Sequence, residues 1–353
     1  MRRTSRGKGS RRRAKRTGTI AGLAALLGAA AFAASTFLTT PGAQAAAVTH
    51  PVIWGLESGS ISADVGGNGI VGGSATADTM SGKASGLAPG IDSWFVSQAA
   101  TAANVNQMNV SRAAGAVPMI AWSPQGTLSQ IASGAQDAQL TSMAQSLAAY
   151  GHPFYIRPFA EFNTPWETYS LGKSGNTPQA MSAAWKRMFG IFRKYDGSNA
   201  LFVWTVGYSG TTNTVKPSWP GSGYVNYVGI DAYDWCTSAS WCPGDQYRYK
   251  SMLALLRSFD AGRPTMLAET ATGLNTAGKG AWLSNALSAS KADGLYAVIW
   301  FDEALQGQPD WRLAVPPAAA PSEHSALLQT MVASPRWDSI TTLEKYAVSA
   351  RWN

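Results

Sequence analysis

Histidine and cysteine are scarce in this chain, with three of the first and two of the second among 353 residues. His50, His152 and His324 are grouped neither with one another nor with Cys236 and Cys242, so a zinc site of the usual Cys and His ligands lacks donors. The same shortage argues against Ser-His-Asp chemistry. His152 is the one candidate base, and it precedes the apolar run at Phe154, whereas parallel sheets gather chemistry past the ends of their strands. Cys236 and Cys242 are separated by five residues rather than the two of a redox motif. In an exported chain they are expected to form one disulfide closing a short loop. Also missing are a G-x-G-x-x-G after the first predicted strand, an internal repeat, and a linker long enough to divide the chain.

A positive excess disappears once the N-terminus is set aside. The formal charge is +8, yet residues 1–45 hold nine of the 28 Lys and Arg and none of the 20 Asp and Glu, leaving a net of −1. Nothing in that balance favours a nucleic-acid or anionic-membrane partner. Residues 1–45 read as an export signal: Arg- and Lys-rich to Arg16, uncharged from Ile20 to Phe37, then Ala43-Gln44-Ala45 as a small-residue cleavage site. Ser10-Arg11-Arg12-Arg13 allows a twin-arginine route, although no bulky apolar residue follows at the usual offset. The expectation is a secreted chain, free of the membrane after cleavage, monomeric, with residues 46–353 as one large domain.

What is present is alternation. Apolar runs bounded by turn residues are predicted as strands at Val52–Glu57, Ile91–Ser97, Val117–Trp122, Phe154–Phe159, Ala200–Val206, Tyr227–Ala232, Pro264–Ala268 and Leu295–Phe301. Helical spacing lies between them. From Thr177 to Tyr195, Met181, Trp185, Met188, Phe189 and Phe192 recur three and four residues apart, and Leu140–Tyr150, Gln246–Phe259 and Gly280–Ala292 are further helices. Eight strands alternating with helices over this length predict an α/β fold, a single (β/α)8 TIM barrel, rather than an open doubly wound sheet.

Chemistry in such a barrel belongs to residues at the carboxyl ends of the strands. Those positions carry Glu57, Trp94, Trp122, Glu161 with Asn163 and Trp166, Trp204, Asp231 with Tyr233 and Trp235, Glu269, and Trp300 with Asp302 and Glu303. Each Trp taken singly packs under a loop as readily as it faces a ligand. Together with carboxylates, flat indoles suit the apolar faces of sugar rings. Glu161 and Glu269, on the fourth and seventh strands, can face each other across a barrel mouth. Hydrolysis of a glycosidic bond needs such a pair, one carboxyl protonated and the other ionised. Arg157 either holds the second glutamate ionised or forms a structural ion pair near the rim.

Arg157-Pro158-Phe159-Ala160-Glu161-Phe162-Asn163 resembles the R-P-F-H-E-M-N signature of glycoside hydrolase family 26, best known for endo-β-1,4-mannanases. Val117–Trp122, Val203-Trp204, Tyr227–Tyr233 and Met266–Thr270 fall in the order that family shows. The resemblance implies a retaining barrel enzyme acting on a β-linked polysaccharide, with Glu161 as acid/base, Glu269 as nucleophile, and no metal or organic cofactor. It further implies that Tyr233 hydrogen-bonds the nucleophile and that Trp166 and Trp300 lie against the sugars flanking the cleaved bond. Trp122, Trp235 and Arg157 complete the expected substrate-binding set. One departure bears on specificity: the family usually carries His before the acid/base Glu, and here Ala160 stands there. A methyl group cannot hydrogen-bond a hydroxyl, so mixed-linkage β-glucan and xylan stand beside mannan as expected substrates.

Overall fold

The structure is a computed structural model, and it describes residues 52–60, 90–113, 115–237, 248–274, 276–303, 305, 307–309, 311 and 340–350. The export segment and Cys242 lie outside the described residues.

Eight parallel strands close on themselves in sequence order, β8 pairing with β1. They are β1 (Ile53–Ser60), β2 (Ile91–Phe95), β3 (Val117–Ala121), β4 (Phe154–Ile156), β5 (Ala200–Gly207), β6 (Tyr227–Asp231), β7 (Thr265–Thr270) and β8 (Ala297–Phe301). The main helices are α1 (Val105–Ala113), α2 (Leu128–Ser133), α3 (Asp137–Ala148), α4 (Pro178–Tyr195), α5 (Tyr249–Arg257), α6 (Thr276–Ala292) and α7 (Ile340–Ala350). The predicted (β/α)8 barrel is therefore the fold, and all eight predicted strands are present.

Most strand ends differ from the expectation by one to three residues, β1 running on to Ser60 and β2 stopping at Phe95, and two of the differences bear on the site. β4 stops at Ile156 rather than Phe159, because the backbone at Phe159 turns to a φ of 52° that no strand can continue. β7 runs on to Thr270, so Glu269 sits within the strand rather than past it.

Helix α4 shows how the outer layer forms. Thr177 caps it by accepting from the Ala180 N–H, Pro178 opens its first turn, and Met181, Ala184, Trp185, Met188 and Phe192 are buried along one stripe.

Alternation along the strands sorts the core into two clusters. Ile53, Ile91, Met119, Tyr155, Val203, Tyr227, Met266 and Ile299 fill the barrel interior. Their neighbours Leu56, Ile120, Ile156, Phe202, Val228, Leu267 and Val298 pack outward among the helices. The interior cluster also includes Leu343 and Ala347 of α7. Tyr227 Oη donates to the Ala347 carbonyl, and Arg112 pairs with Glu344 at 2.7 Å. The C-terminal helix thus closes the floor of the barrel, the end where the strands begin. Burying Leu343 there contributes about 1.5–3 kcal/mol.

Candidate active site

The same alternation that fills the floor with apolar groups carries polar ones inward at the opposite end. Counting in steps of two from Tyr155 gives Arg157, from Tyr227 gives Asp231, and from Ile53 gives Glu57. Arg157 is fully buried. Its Nη1 donates to both Asp231 carboxylate oxygens at 3.0 and 3.2 Å, its Nη2 donates to Glu269 Oε1, and Glu57 Oε2 lies 3.7 Å from Nη2. Ser93 Oγ donates to Glu57 Oε2 at 3.1 Å.

Glu269 faces inward because the sheet is irregular. Ala268 belongs to the interior cluster, so strict alternation would send residue 269 to the helices. The register slips here: Ile230 pairs with Leu267, and Asp231 pairs with Glu269. The extra residue re-aims the carboxylate into the mouth, a use of bulges seen beside active sites. Its second oxygen accepts from Tyr233 Oη at 2.5 Å. Burial and the adjacent Glu269 push the Tyr233 phenol up, so it remains a donor.

Glu161 reaches the mouth from the turn after β4. Phe159 and Glu161 both have positive φ, 52° and 53°. Left-handed backbone costs roughly 1–2 kcal/mol per residue, so the surroundings must hold it. They do so with the Phe159 N–H donating to Ser123 Oγ at 2.7 Å, Tyr169 Oη donating to the Ala160 carbonyl at 3.0 Å, and Thr164 donating twice to the Glu161 carbonyl. Asn163 clamps the turn to β5 through both its amide atoms, which bond the carbonyl and N–H of Gly207 at 2.9 and 2.8 Å. A side chain at Gly207 would collide with Thr164 at 2.6 Å and press on the Glu161 carboxyl at 3.4 Å. Glycine is what lets the turn lie against β5.

A cavity of about 560 Å³ is lined by Glu161, Glu269, Tyr233, Phe301, Trp166 and Trp235. Trp166 is 66% exposed and Trp235 45%, the two most exposed large apolar side chains among the described residues. Apolar rings left in water beside buried carboxyls mark a binding site. Burial first, then repulsion from Glu269, pushes Glu161 up from its ordinary 4.5 to about 7. Glu57 and Asp231 are also pushed up, by burial and by Glu269, against the opposing pull of Arg157. One guanidinium cannot neutralise so many carboxyls.

The family model described as glycosyl hydrolase family 26 matches residues 69–264, more than half of the sequence. The chain belongs to that family. Endoglucanase H of Acetivibrio thermocellus is 30% identical over 224 residues, which make up 60% of the family 26 chain and 24% of that protein. The chain thus spans about a quarter of that relative's length. Among solved structures, the catalytic domain of the endo-β-1,4-mannanase of Bacillus sp. JAMB-750 superposes with a TM-score of 0.59 at 15% identity, over 85% of this chain and 90% of that one. The β-mannanase of Bacteroides ovatus superposes with a TM-score of 0.56 at 15% identity, over 79% and 87%. At that identity both bear on the fold alone.

Of the residues singled out in the sequence, the family 26 site brings together Glu161, Glu269, Arg157, Tyr233, Trp166 and Trp235. It does not include Trp300. By strand parity Trp300 points outward, fully buried against Trp282 of α6, with its indole N–H donating to the Trp311 carbonyl at 3.0 Å. Its neighbour Phe301 faces the cavity instead. Trp122 also points outward, 6.4 Å from Phe192 of α4, and is 2% exposed. It borders a second, smaller cavity rather than the one holding the glutamates. Trp94 and Trp204 likewise join the outer cluster. Reading strand-end indoles as sugar platforms missed parity, which assigns all four to the layer between sheet and helices. The roles of Asp231 and Glu57 as partners of Arg157 were not read from the sequence, although step-of-two counting from Tyr227 and Ile53 carries the signal.

Proposed function

We propose that the family 26 chain is a retaining glycoside hydrolase that cleaves within a β-linked polysaccharide. The observation carrying this is that Glu161 and Glu269 line one cavity with different surroundings. Burial raises the Glu161 pKa to about 7, and Glu269 accepts hydrogen bonds from a guanidinium and a phenol. In the first step the Glu269 carboxylate attacks the anomeric carbon. The glycosidic C–O bond breaks, and the Glu161 proton passes to the departing oxygen. In the second step the Glu161 carboxylate takes a proton from water. That water attacks the same carbon, and Glu269 leaves as a carboxylate. Tyr233 and Arg157 stabilise the leaving carboxylate, while Trp166 and Trp235 hold the sugar faces.

Mannan and β-glucan place different demands on position 160. Mannose carries its 2-hydroxyl axially and glucose equatorially, and the Ala160 methyl bonds neither. The relative matched at 30% identity is named an endoglucanase. That favours β-glucan, including mixed-linkage β-glucan, with β-mannan and xylan as the competing substrates. A panel of purified mannans, glucans and xylans with product sizing tests the reading. Release from β-glucan with an initially β-configured product is expected, and no release from any of the three classes sinks it. We further propose that the mature chain is exported and monomeric and that Cys236 and Cys242 form a disulfide. N-terminal sequencing after Ala45, sedimentation and non-reducing mass analysis check those three points.

A further inference from the structure

The second cavity, about 420 Å³, is lined by Gln98, Trp122, Arg157, Ala160, Glu167 and Tyr169 and adjoins the glutamate cavity at Phe95. Phe95 lines both spaces, and the turn that presents Glu161 to the first presents Ala160 to the second. The R-P-F-H-E-M-N pattern puts an imidazole at this position, and its bulk would occupy space that the Ala160 methyl leaves open. Polar groups on the opposite wall are held in place. Gln98 Nε2 donates to Glu167 Oε2 at 2.8 Å, Thr168 Oγ1 donates to Gln98 Oε1 at 3.0 Å, and the Gln98 carbonyl accepts from Gln139 at 2.6 Å. The Glu167 N–H donates to Ser170 Oγ at 3.0 Å. These bonds use Glu167 Oε2 and one amide hydrogen of Gln98, leaving Glu167 Oε1 and the second amide hydrogen for a ligand. A fixed acceptor beside a fixed donor, above an aromatic edge, matches the vicinal hydroxyls and apolar face of a pyranose.

The geometry points to this chamber as a second sugar-binding subsite. There Gln98 and Glu167 read adjacent hydroxyls of a neutral pyranose unit of the same polysaccharide, and Ala160 keeps the chamber open. This rests on the reading of the glutamate cavity as the place of cleavage, and it names residues that set chain-length preference rather than rate. Neither Gln98 nor Glu167 touches Glu161 or Glu269 in any hydrogen bond described.

The test is calorimetric titration of gluco-oligosaccharides of two to five units into full mature chain carrying Glu161→Gln, so that binding is read without turnover. Gln98→Ala and Glu167→Ala, each added to that background, are expected to weaken binding of the longer oligosaccharides about tenfold through the loss of a hydrogen bond, and Ala160→His to weaken it about as much by filling the chamber. Disaccharide binding is expected to stay within twofold, and Glu167→Gln to recover part of the loss. Equal affinities in all variants overturn the proposal, as does weakening that is the same for every length. Absence of cleavage by the unaltered chain, with length-dependent binding intact, sinks the hydrolase reading and leaves the subsite standing.

Discussion

The two ends of the barrel interior are reached by the same step of two along the same strands, and they hold opposite materials. At the floor, Tyr155, Tyr227 and Tyr296 pack with ring centroids 5.3 and 4.7 Å apart, and Tyr155 and Tyr296 share a 2.7 Å hydrogen bond. Each of these polar atoms has a neutral partner nearby, and α7 seals the set. At the mouth, Arg157 is surrounded by Glu57, Asp231 and Glu269, with Glu161 across the cavity. The floor is arranged for stability. The mouth crowds like charges into a low-dielectric space, which costs stability and pushes Glu57, Glu161 and Asp231 above their ordinary values.

That contrast can be broken from either end. The largest effect is expected at the mouth: Glu269→Ala lowers reducing-sugar release by on the order of 10⁴-fold. A variant keeping a tenth of the unaltered rate would remove Glu269 from the reaction. Arg157→Met leaves buried carboxylates without their cation and costs about 3–5 kcal/mol, read as a lower denaturant midpoint. An unchanged midpoint would mean the guanidinium is not what holds the cluster.

At the floor, Leu343→Ala opens a hole under the barrel and costs about 2–5 kcal/mol, while kcat/KM measured below the melting range stays put. If activity falls in step with stability, the two ends are not separable as argued.

A finer comparison uses pH. Glu161 has a folded value near 7, above its ordinary 4.5, so the folded protein binds that proton more tightly than the unfolded chain. Stability from this group is therefore fully present below 4.5, falls as pH rises from there to about 7, and stays low above. Glu161→Gln removes the charge and is expected to be more stable than the unaltered chain at pH 8, with the difference vanishing toward pH 4. The unaltered enzyme should lose activity as pH rises through 7, when the acid no longer carries its proton. Constant activity to pH 9 would assign proton donation elsewhere. The smallest effect is expected from Tyr155→Phe, which removes one neutral hydrogen bond at the floor and costs about 1 kcal/mol by thermal denaturation without moving the pH profile.

Strand number, strand order and the family were legible because alternating apolar runs and turn residues act locally, and because the Arg157–Asn163 motif is compact. So were Glu161 and Glu269 as a pair, Tyr233 as the partner of Glu269, and the thread of α4. Trp122 and Trp300 turn away from the glutamate cavity, which composition at a strand end could not show, since it says nothing about which face a side chain takes. Parity shows it, and only once the strand boundaries are known.

By itself the sequence determined what depends on neighbours along the chain: eight strands, their intervening helices, and the acidic and aromatic residues delivered to one end. Tertiary structure alone decided what depends on register and closure. A single slipped residue in β7 turned Glu269 inward, positive φ at Phe159 and Glu161 set the acid over the cavity, and α7 supplied a floor from far along the chain. Side-chain direction in a sheet reverses with each residue, so a shift too small to leave a mark in composition decides which groups meet.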